Sequence, residues 1–508
     1  MNPATSTRAF RTLLLAAFAA SRLVGLTRLP AFVDENLHMS WAMYVAQGER
    51  LGQPWSHGRA VQVFANALVV PWAGENTLWA SRCLTVAFGA LTLLAILALA
   101  RRLYDEPTAL VAGGLYVLCP MTLFYDRLVM ADPVMSTFVA LSLLASARAA
   151  QSGRVRDGLL AGPPAALAVL SKASGALLLF VPLAAWLALS RPLRRGLPAL
   201  GAALAATASL VAWPLWRFLE ASRSMAERNV GGGAAGSVDR IARNLALVAD
   251  WFPEWWTLPL VLLALGGALA ALVRRDRAGL YLAASGLLPL AFLVVTATFW
   301  YPRYILYAAV PGVILAARGL VELVGGAAPR LGLPAGGPHH ALLGVATALA
   351  LVPAVNTDLW LWTDPSRAPM PGLERLQFVD GWPSGYGVGE TVQFVREELA
   401  RRPEGLTVVV NSRAHLTTRV ALGVAFRRAR GLRFEDLPLE RTDVLPLLEA
   451  WARERPTLVV VSPVPEGHTR PSPGPWAPLG ATLAIETRKP NGDLCDQVYR
   501  LAPPPREN

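Results

Sequence analysis

Asp34 and Glu35 stand side by side in Phe32-Val33-Asp34-Glu35-Asn36-Leu37-His38, between the first apolar run and an amphipathic segment. Two adjacent carboxylates at the mouth of a membrane segment are costly unless they are solvated, paired or used. Used, Asp34 is the candidate general base, with Glu35 as its acidic neighbour. Unused, both are N-terminal helix charges stabilised by the macrodipole. Four more charged residues interrupt apolar or aromatic surroundings. Lys172, in Ser171-Lys172-Ala173, breaks an apolar hairpin and requires an anionic partner or ligand unless it snorkels to the interface. Arg59 and Arg303 are either interfacial anchors or further cations of the same anion site. Asp132 opens a span before Pro133, so it is either a helix cap or a second acidic residue that positions the base or acceptor. Asp126-Arg127 reads as a local ion pair.

Other motifs point away from common chemistries. Gly385-Tyr386-Gly387-Val388-Gly389 precedes a helix, but no strand leads into it and no Gly-Lys-Ser/Thr follows, so it reads as a turn. No Asp-x-Asp is present, His339-His340 is expected in a loop, and Cys83, Cys119 and Cys495 outline neither a disulfide framework nor a metal site. No cofactor is called for, and a divalent metal is left open.

The elements that must position these residues are membrane helices. Of 508 residues 54% are hydrophobic and 16% charged, too apolar for an ordinary soluble protein. Apolar run lengths predict about eleven spans. Arg22 falls in the first, over about residues 9–29, and must face the bundle or snorkel. That first run has the outline of a signal peptide, but it reads as an uncleaved span that anchors the acidic stretch. Arginine clusters at 8–11, 101–102, 148–156, 191–195 and 274–277 all fall on one side of this topology, which the positive-inside rule makes cytoplasmic. The acidic stretch, Asp132, Lys172, Arg303 and everything after Trp362 then lie outside. The net charge of +12 is scattered between spans, which excludes a phosphate-tracking nucleic-acid surface.

Residues 30–77 form a long first outer loop with interfacial helices. One, over about 36–47, places Leu37, Trp41 and Tyr44 on one face. A glycine run at Gly231-Gly232-Gly233 marks a later polar loop. The membrane domain is expected over 1–363. Residues 364–508 read as a small extracytoplasmic α/β domain, with strands at Thr407–Asn411 and Thr457–Val461, a helix between Thr417 and Arg430, and a hairpin around Lys489-Pro490-Asn491-Gly492-Asp493. The tail Pro503-Pro504-Pro505 is expected to be disordered.

These positions, in this order, resemble the GT-C membrane glycosyltransferases, on the branch of the protein O-mannosyltransferases and the lipid A aminoarabinose transferase. The family's Asp-Glu pair and following helix look like Asp34-Glu35 through Gly48-Glu49. Its Gly-Lys or Glu-Lys element looks like Gly58-Arg59, its span-opening Arg like Arg82, and its Leu-Asp-Pro element like Ala131-Asp132-Pro133. Its Thr-Lys-Gly element resembles Ser171-Lys172-Ala173, and its Arg-Tyr-x-Leu segment Arg303-Tyr304-Ile305-Leu306. The resemblance implies a GT-C fold and an inverting transfer of sugar from a polyprenyl-phosphate donor to a lipid, glycan or protein acceptor. Asp34 would serve as base, with Glu35 and Asp132 as companion acids, and Arg59, Lys172 and Arg303 at the donor phosphate. The rival classes are a transporter or flippase, which calls for internal repeats and midplane charges, and a non-catalytic relative.

Overall fold

A computed structural model of the chain describes residues 3–230, 237–334, 337–411, 416–427, 429–439, 441–463 and 479–501. The glycine run at 231–233 and the tail at 503–505 lie outside them. The chain forms two compact units, one of residues 1–26, 44–72 and 79–371, the other of 27–43, 73–78 and 372–508.

In chain order the helices of the first part are α1 Pro3–Leu23, α2 Val33–Ala46, α3 Gln53–Ser56, α4 Ala60–Ala67, α5 Val70–Ala73, α6 Thr77–Leu103, α7 Glu106–Val117, α8 Pro120–Tyr125, α9 Ala131–Ser152 and α10 Val155–Ser171. There follow α11 Val181–Leu189, α12 Leu193–Val230, α13 Ser237–Trp256, α14 Leu258–Val273, α15 Arg277–Thr296, α16 Ala309–Ala327 and α17 Gly337–Thr363. Asp105 caps α7 by accepting from the Thr108 amide at 2.8 Å, and Asp276 caps α15 by accepting from Ala278 and Gly279.

Among the described residues six helical stretches are long and apolar enough to cross a membrane, or seven if Val238–Trp256 and Leu258–Val273, bent by 113°, count as one. The expected count of about eleven is therefore not reached by helices of that length. Run length alone overlooked the breaks. Cys119-Pro120 divides one expected span into α7 and α8, and α11 has only nine residues. The expected loop at His339-His340 is the first turn of α17.

Close backbone packing fixes the helices that carry the charged residues. Gly158 and Gly162 lie one turn apart on α10 against α12, where a Cβ on Gly158 would come within 2.1 Å of the Ala199 carbonyl oxygen. Small residues one turn apart let two membrane helices touch backbone to backbone. Arg22 turns into the bundle and is fully buried. It pairs with Asp126 at 3.4 Å and donates to Val117 O, Tyr116 O and Thr122 Oγ1. Asp126 is thus held by Arg22 and the Tyr116 hydroxyl rather than by Arg127. Arg127 instead donates to the carbonyls of Val24, Gly25 and Leu361.

The second unit is built on a five-stranded sheet. After α18 Gly372–Arg375 and α19 Val388–Ala400 come β1 Leu406–Asn411, α20 Leu416–Phe426, β2 Leu432–Leu437, α21 Leu445–Glu454, β3 Thr457–Val461, β4 Thr482–Arg488 and β5 Leu494–Leu501. The strand order is β2-β1-β3-β5-β4; β1 runs parallel to β2 and β3, and β5 antiparallel to β3 and β4. Val408 and Val410 face one apolar layer with Leu422 and Phe426, and Val409 faces the other with Leu448 and Trp451, as the two-residue strand period requires. Both expected strands and the hairpin are present; β2 and α21 were not read from the sequence.

Candidate functional site

The charged residues of the membrane unit converge at the end of α10. Asp132 occupies the first turn of α9, but Met130 is the N-cap and the Asp132 carboxylate caps nothing. Its Oδ1 instead accepts from Lys172 Nζ at 2.5 Å, with the Asp132 side chain 1% exposed and that of Lys172 10%. Oδ2 of Asp132 is buried without a hydrogen-bond partner. Lys172 leaves the helix in extended conformation, which turns its side chain away from the α10 axis. The plain cap and the snorkelling lysine expected as alternatives are thus replaced by a buried ion pair.

Two arginines join this pair. Pro302–Ala308 is a 3-10 segment, and Arg303, its second residue, is buried. The Tyr304 ring lies 3.6 Å from Lys172 Nζ and 5.8 Å from the Arg303 guanidinium, while Tyr301 stacks on Arg303 at 4.4 Å. Aromatic faces so placed hold cations without neutralising them. Arg59 is half-buried and opens α4. The preceding Gly58 has φ +63°, and a Cβ there would fall 3.2 Å from the Ala173 Cβ, so the Arg59 turn packs beside the one after Lys172. Arg59 and Arg303 both lie close enough to act electrostatically on the Lys172 ammonium. Three cations thus gather around the Asp132 carboxylate.

One supporting residue escaped the sequence reading. Asn244 on α13 is fully buried, donates to the carbonyls of Val294 and Ala297 at the end of α15, and accepts from Trp300 Nε1 at 3.1 Å. It thereby ties down the chain leading to Arg303. In sequence it is one polar residue on an amphipathic helix, and only the carbonyls that end an apolar span hint at such a need.

Asp34 and Glu35 belong to the other compact unit. There α2 begins at Val33, three residues earlier than expected. Glu35 is fully buried, and its Oε2 accepts from the Phe32 amide at 3.0 Å, the return half of a capping box. Asp34, at the next position of the same turn, is half-buried. The adjacent carboxylates therefore sit in unlike surroundings. Leu37, Trp41 and Tyr44 are each half-buried, while Glu35, Asn36 and His38 share the buried face with Val33, Met39 and Ala42. Gly48 ends the helix with φ +78°. Arg82, which is buried, donates to the Leu26 carbonyl at 2.7 Å. Among the described residues no three His, Cys, Asp or Glu side chains gather as a metal cage.

The family model of the dolichyl-phosphate-mannose-protein mannosyltransferases matches residues 62–216, a span that contains Arg82, Asp132 and Lys172 and excludes Asp34, Arg59 and Arg303. Among curated proteins no sequence matches. In structure the chain is similar to ArnT from Cupriavidus metallidurans bound to undecaprenyl phosphate, with a TM-score of 0.58, 15% identity and 98% of each chain covered. It is also similar to the Archaeoglobus fulgidus oligosaccharyltransferase in the apo form, with a TM-score of 0.51 and 13% identity, over 89% of this chain and 69% of that one. A family model over part of the chain and the fold of these solved structures thus both agree with the resemblance read in the sequence.

Proposed function

We propose that this chain is an inverting glycosyltransferase that moves a sugar from a polyprenyl-phosphate donor to a hydroxyl on a lipid, glycan or protein at the outer face of the membrane. The observation that carries the reading is the gathering of Lys172, Arg303 and Arg59 around the buried Asp132 carboxylate. A lipid phosphate is an anion that three clustered cations in a membrane protein suit. Lys172 has three donors and gives one to Asp132, so it can still reach a phosphate oxygen. The planar forks of the arginines suit bidentate contact.

An apolar cavity of about 280 Å³ supports a lipid donor. It is lined by Phe252, Trp256, Leu265, Leu287, Pro311 and Leu315 among others, and it reaches Ala308. Ala308 ends the 3-10 segment on which Arg303 is the second residue. At about 2 Å of rise per residue the two lie roughly 10 Å apart along that segment, so head and tail of one prenyl phosphate can be served by neighbouring groups.

In the reaction the acceptor oxygen attacks the anomeric carbon as the carbon–oxygen bond to the lipid phosphate breaks. The departing phosphate keeps the electron pair, stabilised by fixed positive charge. The acceptor proton passes to the carboxylate of Asp34, the proposed base, and the anomeric centre inverts. Glu35, committed to the helix cap, holds α2 in place. Asp132 aims Lys172.

The test is lipid analysis of a strain lacking the chain, complemented with variants. Loss of the enzyme should accumulate a polyprenyl-phosphate sugar, which the parent removes and Asp34→Asn does not. In purified protein Asp34→Asn should lose about a hundredfold to ten-thousandfold in rate with donor binding intact. If turnover stays within a few-fold of parent, Asp34 is not the base.

A further inference from the structure

The second unit contains Asp34 as well as the sheet, and its internal contacts assign the sheet a task. The residues entering α2 rest on the segment between α18 and α19. The Val33 amide, one of the first-turn groups that lack an intrahelical partner, donates to the Pro383 carbonyl at 3.0 Å. The Phe32 ring packs on Phe378 with centroids 4.5 Å apart. Gly385 lies so close beneath that a Cβ would stand 2.4 Å from the Ala31 carbonyl oxygen and 2.9 Å from the Pro30 Cβ. Real side chains essentially never approach a backbone oxygen that closely.

The seat is itself bolted to the sheet. Gly381 O accepts from Lys489 Nζ in the β4–β5 turn, and Trp382 O accepts from Thr417 Oγ1 on α20 at 2.9 Å. Ser384 Oγ donates to Phe378 O at 3.0 Å, closing the seat on itself. Beside Thr417, Thr418 donates to Asp496 of β5, a fully buried carboxylate that also collects hydroxyls from Thr391 on α19 and Ser462 at the end of β3. A continuous set of hydrogen bonds therefore runs from the sheet through residues 376–385 to the residue before Asp34.

We propose that the C-terminal unit is the positioning device for the proposed base, with Gly385, Phe378 and Lys489 as positioning residues for Asp34. The proposal rests on the reading of Asp34 as base. A carboxylate on the first turn of a helix moves with that turn, and a misplacement of about 1 Å in a reacting group can cost about a hundredfold in rate. Side chains that hold the turn from behind therefore govern turnover without touching substrate.

The experiment uses the purified full chain, donor lipid extracted from the deletion strain and its cell-envelope fraction as acceptor, with release of polyprenyl phosphate as readout. Gly385→Ala should lower kcat by about a hundredfold, leave the donor KM within about twofold, and add less than about twofold when placed on Asp34→Asn. Gly389→Ala, where a Cβ meets nothing within 4 Å, should match the parent. If Gly385→Ala fails to fold, Phe378→Leu carries the same test, with a smaller loss in kcat and the same lack of effect on Asp34→Asn. A parental kcat in these variants beside a crippled Asp34→Asn overturns the positioning role alone, as does a full additional loss on Asp34→Asn. A parental Asp34→Asn overturns the base and the positioning role with it.

Discussion

Two buried ion pairs of the membrane unit have nearly the same parts and opposite settings. Arg22 and Asp126 are closed in by protein groups: four carbonyl or hydroxyl oxygens on the arginine besides the carboxylate, and the Tyr116 hydroxyl on the aspartate. Lys172 and Asp132 have a carboxylate oxygen left over, two more cations near them and tyrosine rings in place of further acceptors. The first pair joins α1 to α7 and α8 and leaves no charge to offer. The second keeps a carboxylate oxygen unmatched. Burial alone does not distinguish a structural pair from a site; the state of the partners does.

The largest expected effect comes from replacing each pair whole. Breaking a buried pair by one partner strands a charge at about 3–5 kcal/mol, whereas exchanging both for apolar residues of similar volume is often neutral. Arg22→Met with Asp126→Leu should leave a folded protein with turnover near parent. Lys172→Met with Asp132→Leu should also fold but lose donor use altogether, in binding assays with the extracted donor lipid. Equal activity in the two double variants would erase the distinction. A smaller effect is expected at the half-buried edge of the cluster. Arg59→Ala should raise the donor KM by about tenfold, one charge-assisted contact at about 1.5 kcal/mol, and Arg59→Lys should recover most of it.

The smallest effect extends the comparison to a third buried acid. Asp496 accepts from the hydroxyls of Thr391, Thr418 and Ser462, and burial raises its pKa above the ordinary 3.8. Its folded form therefore binds a proton more tightly than the unfolded chain does. The stability this contributes is full below pH 3.8 and is lost as pH rises through the raised value. Asp496→Asn should flatten that limb in thermal unfolding followed at the second unit, and an unchanged slope would show that Asp496 is not the group titrating.

Lys172, Asp132 and Arg303 were legible because ionisable residues inside apolar runs are expensive. Their mutual arrangement was partly legible too, through the common side of the membrane on which the arginine clusters predict them. Asn244 was not, since its partners are backbone carbonyls fifty residues away. The seat under α2 left still less trace. Its contacts are a carbonyl, a phenylalanine pair and the missing Cβ of Gly385, about 350 residues from Asp34, and the glycines there read simply as a turn. Strand β2 was overlooked because it is half-exposed along nearly its whole length and mixes charge with apolar residues. Hydropathy joined α7 and α8 into one run because it does not register the break at Pro120.

The contact of α10 with α12 also sets which substitutions the chain can accept over time. Within Gly158-Leu159-Leu160-Ala161-Gly162, the two leucines are half exposed on the surface that lipid would cover, and can drift among apolar residues at little cost. The glycines cannot, because any side chain at 158 or 162 collides with the partner helix. Five neighbouring positions are thus expected to evolve at two very different rates, with the slow ones silent in any assay of the chemistry and the helix they fix ending at Lys172.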